Sequence, residues 1–126
     1  MMNGVELYLK FRQELDKICV PVILETLNCV EYIMYDGKTV GMVGGVLGYI
    51  DVVYVLPEYR RKGLAKKAVL EWYNRYKTPY ENTRLHIINN NDIALNFWKS
   101  IFELWEIDHN EIDTMYEILS VKGGVK

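Results

Sequence analysis

Residues 56–67 read LPEYRRKGLAKK, a basic stretch with one glycine that joins an apolar segment to an amphipathic one. The β-branched and aromatic residues from Ile50 to Leu56 predict a strand, which Pro57 ends. The spacing of apolar residues from Leu64 to about Tyr76 predicts a helix. The chain therefore leaves a strand and enters a helix through a basic turn.

This turn, residues 60–67, has the properties of an anion site, and we call it the phosphate turn. The first N–H groups of a helix lack intrahelical acceptors and lie at the positive end of the dipole, which favours an exposed anion by about 0.3–1 kcal/mol. Gly63 and Ala65 add little bulk. The basic residues of the turn are Arg60, Arg61, Lys62, Lys66 and Lys67. Because the whole chain has a formal net charge of −2, this local field suits a phosphorylated ligand better than nucleic acid in general.

Two short motifs in the sequence carry a family resemblance. Residues 55–57 read VLP and residues 60–65 read RRKGLA, while residues 91–98 read NDIALNFW. The first resembles the pyrophosphate loop Gln/Arg-x-x-Gly-x-Gly/Ala of the GNAT superfamily of N-acetyltransferases, and the second resembles its segment Asn-x-x-Ala-x-x-Phe-Tyr. The resemblance runs from about Tyr32 to Leu119. It implies a single domain, residues 1–126, of mixed α/β class, with a mainly antiparallel sheet, a splayed parallel strand pair and flanking helices.

The same resemblance implies acetyl-coenzyme A as co-substrate. In the family, two parallel strands part at their C-terminal ends and the pantetheine arm fills the gap. By resemblance, the backbone of Val53 to Val55 pairs with that arm, the amides of Arg61 to Lys66 hold the pyrophosphate, and Asn91 bonds the arm from the other side. The implied coenzyme contacts are Val53, Tyr54, Val55, Arg60, Arg61, Lys62, Gly63, Leu64, Ala65, Lys66, Asn91, Ala94, Phe97 and Trp98.

An amine acceptor needs a base, because only the neutral amine attacks. An amine with a pKa near 10.4 is about 0.1% deprotonated at pH 7.4, which is equivalent to about 4 kcal/mol of barrier. The resemblance implies a carboxylate on the strand before the turn, and Asp51 is the one found there. Its other possible role is a bond to a neighbouring turn. Glu31 and Glu25 are weaker candidates, and His86 is expected to be a satisfied sheet histidine rather than the base.

The general acid is missing from its usual place. Trp98 stands where the family commonly has a tyrosine that protonates the departing thiolate, and an indole N–H cannot do so. Losing that proton transfer costs about 2–3 kcal/mol, which slows the reaction without preventing it. Tyr54 and Tyr116 are the substitutes that we consider, although a core aromatic is the commoner role for each.

Turn residues and hydrophobic alternation predict the remaining elements. Asp36-Gly37 supplies the positive φ angles of a tight hairpin turn, and Gly44-Gly45 predicts a bulge in the strand that follows. The helix predicted from Leu64 to about Tyr76 is a crossover between two strands. The strands Tyr49 to Leu56 and Arg84 to Ile88 are therefore expected to be parallel. The predicted strands are Tyr32 to Tyr35, Lys38 to Val46, Tyr49 to Leu56, Arg84 to Ile88, Leu104 to Asp108 and Thr114 to Leu119, with a short helix from Ile93 to Ser100.

The beginning of the chain is predicted only in part. Asn3 with Glu6 three residues later predicts a capped helix. Val22 to Val30 fits a short helix or a strand and is left unassigned. The core face of the capped helix would carry Tyr8, Phe11, Leu15 and Ile18.

Composition limits the class of protein. Half of the residues are hydrophobic and a quarter are charged, and the apolar runs are too short to span a bilayer. Glu6, Lys10 and Arg12 interrupt any signal-peptide core, so we expect a cytoplasmic protein with no membrane partner. Cys19 and Cys29 lack the spacing of metal ligands, so we expect free thiols and no metal site.

The sequence predicts an N-acetyltransferase that moves acetyl from acetyl-coenzyme A to a primary amine in a direct ternary complex. One alternative is a non-catalytic acyl-coenzyme A sensor or partner domain of the same fold, favoured by Trp98. Another is nucleic-acid binding through Arg60 to Lys67, which we do not expect. The absence of Gly-Lys-Ser/Thr after Gly63 excludes a P-loop NTPase.

The acceptor itself is left open by the sequence. A small molecule and a protein amine are both compatible with the pattern. The oligomeric state is also left open, and a homodimer is compatible with the sequence. A cationic acceptor is favoured weakly by the acidic residues Glu25, Glu31, Glu103 and Glu106.

Overall fold

The computed structural model describes residues 28–122. Within them the chain forms six strands and two α-helices, with a single 3-10 turn at Pro57–Tyr59 before the phosphate turn. In chain order the elements are β1 (Cys29–Tyr35), β2 (Lys38–Val46), β3 (Tyr49–Val55), α1 (Leu64–Tyr76), β4 (Arg84–Ile88), α2 (Asp92–Ile101), β5 (Phe102–His109) and β6 (Asp113–Val121). The predicted helix capped by Asn3, together with Cys19 and Glu25, lies outside the described residues.

Every strand and helix predicted within residues 28–122 is present, with ends that differ by up to three residues. The last two residues of the unassigned segment 22–30, Cys29 and Val30, belong to β1. The predicted turn between β1 and β2 is confirmed, since Asp36 and Gly37 have φ angles of 53° and 76°. Neither α1 nor α2 is long and apolar enough to cross a membrane.

The strands form one sheet in the order β1-β2-β3-β4-β6-β5. All neighbours are antiparallel except β3 and β4, which are parallel as the helical crossover predicts. The mixed α/β class with a mainly antiparallel sheet is therefore confirmed. The parallel pair lies in the middle of the sheet, and it determines where a site can form.

The parallel pair stops after two steps. Tyr49 pairs with Arg84 and Ile50 pairs with Leu85, and beyond these residues β3 and β4 separate. Each strand remains held on its other side, β3 by β2 as far as Val55 and β4 by β6 as far as Ile88. We call the resulting gap, between residues 51–55 of β3 and residues 86–88 of β4, the fork.

A bulge lies at the level where the fork opens. Gly44 of β2 pairs with Val52, but Gly45 pairs with Ile50, so Asp51 is an extra residue on β3. The predicted irregularity at Gly44-Gly45 is confirmed, although the extra residue is on the opposite strand. A side chain at Gly45 would place its Cβ 2.1 Å from the Tyr49 carbonyl oxygen, which explains the glycine. Bulges bend a strand and re-aim a side chain, here that of Asp51.

Helix α1 and the sheet share one hydrophobic core. Trp72 of α1 is fully buried, and its indole nitrogen donates to the carbonyl oxygen of Cys29 on β1 at 2.9 Å. Cys29 is a free, buried thiol whose pKa is raised by burial. The core continues beneath α2 through Trp98 and Phe102. Because α1 is packed in this way, the phosphate turn at its start is held in a fixed place relative to the fork.

Candidate active site

The phosphate turn presents backbone donors that the helix does not use. The hydrogen-bond ladder of α1 begins with the Lys67 amide, which donates to the Gly63 carbonyl at 3.2 Å. The amides of Leu64, Ala65 and Lys66 therefore precede the ladder, and Gly63 supplies no side-chain cap. No acidic residue lies in the first turn. Three amides and the positive end of the dipole are thus available to an anion.

Two residues of the turn have left-handed backbone. Gly63 has φ +74°, and a Cβ built on it would meet nothing within 4 Å. Arg61 has φ +65°, which is uncommon for a residue with a side chain. The turn therefore needs glycine at position 63 for its conformation, and the space beside that glycine is open.

Two basic side chains of the turn, those of Arg60 and Lys62, contact other parts of the protein. Arg60 is turned back onto the sheet, where its Nε donates to the Val55 carbonyl at 2.9 Å. Its guanidinium carbon lies 5.4 Å from the centre of the Tyr54 ring. The Lys62 ammonium lies 5.4 Å from the centre of the Tyr35 ring. Arg61, Lys62, Lys66 and Lys67 form no ion pair with another described residue.

Strand β3 presents backbone groups to the fork. The Leu56 amide donates to the Val40 carbonyl of β2 at 2.8 Å. Antiparallel pairing uses alternate residues, so Tyr54 and Leu56 bond to β2 while Val53 and Val55 face the fork. Since Arg60 occupies the Val55 carbonyl, the Val55 amide and both groups of Val53 are left for a ligand. The predicted contact between residues 53–55 and pantetheine stays a prediction. The Val55 amide and the amide and carbonyl of Val53 are the backbone groups that could make it.

Tyr49 and His86 are joined across the parallel pair at the base of the fork. The Tyr49 hydroxyl is hydrogen-bonded to Nδ1 of His86, and the ring centres are 5.9 Å apart. Burial, with smaller contributions from the carboxylates of Asp51 and Asp113, raises the pKa of Tyr49 to about 12. The Tyr49 hydroxyl therefore keeps its proton at neutral pH. It donates to Nδ1 in the tautomer of His86 that has its ring proton on Nε2.

Asp51 and His86 flank the opening of the fork. Each is the first residue beyond the last paired step, Asp51 on β3 and His86 on β4. Burial raises the pKa of the Asp51 carboxyl, and an imidazolium at His86 would partly offset this rise. Both side chains lie where a ligand that fills the fork would end.

Replacing Asp51 with asparagine should stabilise the fold at neutral pH. The folded-state pKa of Asp51 is raised above 3.8, so the folded protein holds this proton more tightly than the unfolded chain does. Folding stability due to this group is therefore complete below pH 3.8 and falls as pH rises through the folded-state pKa. Thermal unfolding of wild type and Asp51→Asn should give equal melting temperatures near pH 3.5 and a higher one for the variant at pH 7. A variant that is less stable at pH 7 would contradict the raised pKa.

The weaker base candidate Glu31 is not at the fork. Its carboxylate forms an ion pair with Arg75 and accepts a hydrogen bond from the Tyr76 hydroxyl at 3.2 Å, both on α1. His86 is hydrogen-bonded within the sheet and lies at the opening of the fork, and the expectation that it is not the base stays a prediction. The sequence did not indicate its partner Tyr49, because 37 residues separate the two and only the register of the parallel pair brings them together.

Neither of the two tyrosines considered for the general acid lies open to the fork, and nor does Trp98. Tyr54 is 2% exposed, and its ring lies under the Arg60 guanidinium. Tyr116 is on β6, opposite Leu85, so β4 lies between it and the gap. Trp98 is 8% exposed and stacks on Phe102 with the ring centres 6.3 Å apart. The structure thus gives all three a packing role, and any coenzyme contact of Trp98 is limited to its exposed edge.

Helix α2 begins next to the end of β4. Asn91 caps it, since its Oδ1 accepts from the Ala94 amide at 3.1 Å. The Nδ2 amide of Asn91 is therefore the part of the side chain that can reach a ligand, and its predicted bond to the pantetheine arm stays a prediction. Ala94 and Phe97 are half-buried and pack against the core, as a residue beside a coenzyme would. Among residues 28–122, no three His, Cys, Asp or Glu side chains are grouped as a metal site requires.

Comparisons with known proteins agree with this arrangement. The acetyltransferase (GNAT) family matches residues 6–102 of the sequence. A comparison with curated proteins found no match. The structure is similar to that of NAA60 from Arabidopsis thaliana in complex with acetyl-CoA, with 16% identity, a TM-score of 0.59, and coverage of 94% of this chain and 96% of that one.

Two other N-acetyltransferase structures are also similar. An N-acetyltransferase from Staphylococcus aureus Mu50 has 15% identity and a TM-score of 0.57, with 72% of this chain and 69% of that chain covered. The PaiA N-acetyltransferase from Thermoplasma acidophilum, in complex with coenzyme A, has 19% identity and a TM-score of 0.50. That alignment covers 68% of this chain and 57% of the other, so this chain spans little more than half of the Thermoplasma protein. At these identities the likeness shows a shared fold.

Proposed function

Because the chain belongs to the acetyltransferase (GNAT) family, we propose that it transfers the acetyl group of acetyl-coenzyme A to a primary amine in a direct ternary complex. The observation that carries this proposal is the position of the fork beside the free amides of α1. The parallel pair stops after two steps, and β3, which leaves it, leads through the 3-10 turn at Pro57–Tyr59 into the phosphate turn. One elongated ligand with an anionic end would satisfy both sets of backbone groups.

Acetyl-coenzyme A fits this description. Its diphosphate matches the amides of Leu64, Ala65 and Lys66, with Arg61 and Lys62 adding positive charge. Its pantetheine arm carries amides that can pair with the backbone of Val53 in the fork, as a strand would. The solved Arabidopsis and Thermoplasma proteins with this fold contain acetyl-CoA and CoA, which supports the same co-substrate here.

The reaction would take place between Asp51 and His86, where the thioester end of the coenzyme emerges. The amine nitrogen attacks the thioester carbon, a C–N bond forms, and the C–S bond breaks to release the thiolate of coenzyme A. The amine proton passes to the Tyr49 hydroxyl as that hydroxyl donates its own proton to Nδ1 of His86. The carboxylate of Asp51 stabilises the imidazolium that results. In this proposal the base is the Tyr49–His86 pair, and Asp51 supports it.

The leaving group needs little help from the protein. A thiol with a pKa near 8.5 leaves tolerably well as the thiolate at neutral pH. This fits the burial of Tyr54, whose ring lies under the Arg60 guanidinium, and the place of Tyr116 on β6, beyond β4. The same observation favours the second candidate function, an acyl-coenzyme A sensor without turnover.

Acetyl-coenzyme A should raise the melting temperature of the protein in a concentration-dependent way. A ligand that binds only the folded state adds about 2.7 kcal/mol at one hundred times its Kd. S-acetylpantetheine, which lacks the diphosphate, is the matched control and should give a much smaller shift. No shift with acetyl-coenzyme A up to millimolar concentration would contradict both coenzyme functions. Release of free thiol with a panel of primary amines then separates the enzyme from the sensor.

A further inference from the structure

We infer that Arg60 is a positioning residue, which ties the phosphate turn to the end of β3 and does not contact the diphosphate. This inference rests on the proposed coenzyme site. The sequence resemblance placed Arg60 among the residues that contact the coenzyme. The structure instead commits its side chain to the protein, through a hydrogen bond to Val55 and a contact with Tyr54.

The hydrogen bond satisfies a carbonyl that the fork would otherwise leave without a partner. Val55 lies four residues beyond Asp51, where β3 has already left β4, so β4 offers its carbonyl no amide. Its backbone faces away from β2 because the adjacent Leu56 amide bonds to Val40. Val55 is 7% exposed, and a buried carbonyl without a donor is costly. Nε of Arg60 supplies that donor at 2.9 Å.

The second contact fixes the direction of the guanidinium. Tyr54 is 2% exposed and lies opposite the buried Met42 on β2, so its ring is an immobile surface. The guanidinium lies over this ring at 5.4 Å, a cation–π arrangement. One charged side chain is thus held by a carbonyl and an aromatic face, both parts of β3. Its charge is used within the protein, while Arg61 and Lys66, which form no ion pair with another described residue, are left for an anion.

These contacts set the distance between the two parts of the coenzyme site. The Val53 and Val55 backbone groups face the fork, and the free amides of α1 begin at Leu64. Between them are the 3-10 turn, closed by the Tyr59 amide to Leu56 at 2.9 Å, and the phosphate turn itself. The Arg60 side chain connects this segment back to Val55, the residue at which the segment starts. A rigid separation matters because one ligand must bind both ends at once.

The hydrogen bond to Val55, the main contact in this role, needs a donor at the right place and does not need a charge. Nε of arginine is the fourth side-chain atom from Cα, and so is Nε2 of glutamine. Arg60→Gln can therefore still donate to the Val55 carbonyl, whereas Arg60→Ala cannot. We expect Arg60→Ala to raise the Kd for acetyl-coenzyme A about 10- to 100-fold, and Arg60→Gln to stay within about threefold of wild type.

Calorimetric titration with acetyl-coenzyme A at several salt concentrations tests the inference. Arg61→Ala is the control for direct electrostatic contact: its affinity should fall and depend less on salt than that of wild type. Arg60→Ala should bind weakly with the salt dependence of wild type. If Arg60→Gln binds as weakly as Arg60→Ala and both lose salt dependence, Arg60 contacts the diphosphate and the inference is wrong.

Amide hydrogen exchange in the coenzyme-free protein gives an independent reading. Peptides that cover residues 55–66 should exchange faster in Arg60→Ala than in wild type, and at the wild-type rate in Arg60→Gln and Arg61→Ala. Unchanged exchange in Arg60→Ala would overturn the inference. This arm needs no ligand, so failure of acetyl-coenzyme A to bind wild type would contradict the proposed function while leaving the role of Arg60 testable.

Discussion

Gly63→Glu should abolish the rise in melting temperature that acetyl-coenzyme A produces in the wild-type protein. The substitution puts a side chain into the open space beside the phosphate turn, and it puts a negative charge where the diphosphate would bind. It also forces a residue with a side chain into backbone of φ +74°. We expect at least a 100-fold loss of affinity, measured by thermal shift and by calorimetric titration.

The chain contains a matched control for this substitution. Gly48, in the turn between β2 and β3, has φ +78°, and the nearest atoms are 3.8 Å or more from a built Cβ. Gly48→Glu therefore introduces similar backbone strain and the same charge at the end of β3 that lies away from the phosphate turn. Both variants should lose similar stability without ligand, and only Gly63→Glu should lose the ligand-induced shift. An intact shift in Gly63→Glu would mean that the diphosphate binds elsewhere.

His86→Asn should lower kcat by about 100- to 1,000-fold and leave the affinity for acetyl-coenzyme A within about threefold of wild type. Asparagine can keep a hydrogen bond to Tyr49, but it cannot take up the proton that the amine must lose. The Kd should be preserved because the side chain lies at the opening of the fork, away from the amides that bind diphosphate. Tyr49→Phe should show the same pattern, since it removes the hydroxyl that connects the amine to His86. Steady-state kinetics with any amine found to react, together with titration of coenzyme, measures both constants.

His109 and Asp51 complete this test. His109, the other histidine of the chain, is on β5 and is hydrogen-bonded to Thr114 at 2.6 Å, so His109→Asn should keep wild-type kcat. Asp51→Asn should lower kcat about tenfold, because Asp51 only stabilises the charged imidazole. If instead Asp51→Asn has the largest effect and His86→Asn little, Asp51 is the base that the sequence alone suggested.

The strands, the helices and the phosphate turn could be predicted because their signals are local. Asp36-Gly37 defines a hairpin turn by its own backbone preferences, and residues 60–65 place a glycine where the chain turns left-handed before a helix. The family resemblance implied a carboxylate on the strand before that turn, and Asp51 was identified as the one located there. Such features depend on residues within a few positions of each other, so the order of residues contains them.

The arrangement of the site could not be predicted in the same way. Whether Tyr49 meets His86, and whether Glu31 is at the fork or paired with Arg75, depends on contacts between residues 37 and 44 positions apart. The direction of Arg60 depends on which carbonyl of β3 lacks a strand partner. The sequence by itself determined a strand, a basic turn and a helix in the order that the acetyltransferase (GNAT) family has. Only the tertiary structure decided which side chains meet at the fork, because a shift of one residue in strand register moves a side chain to the other face of the sheet.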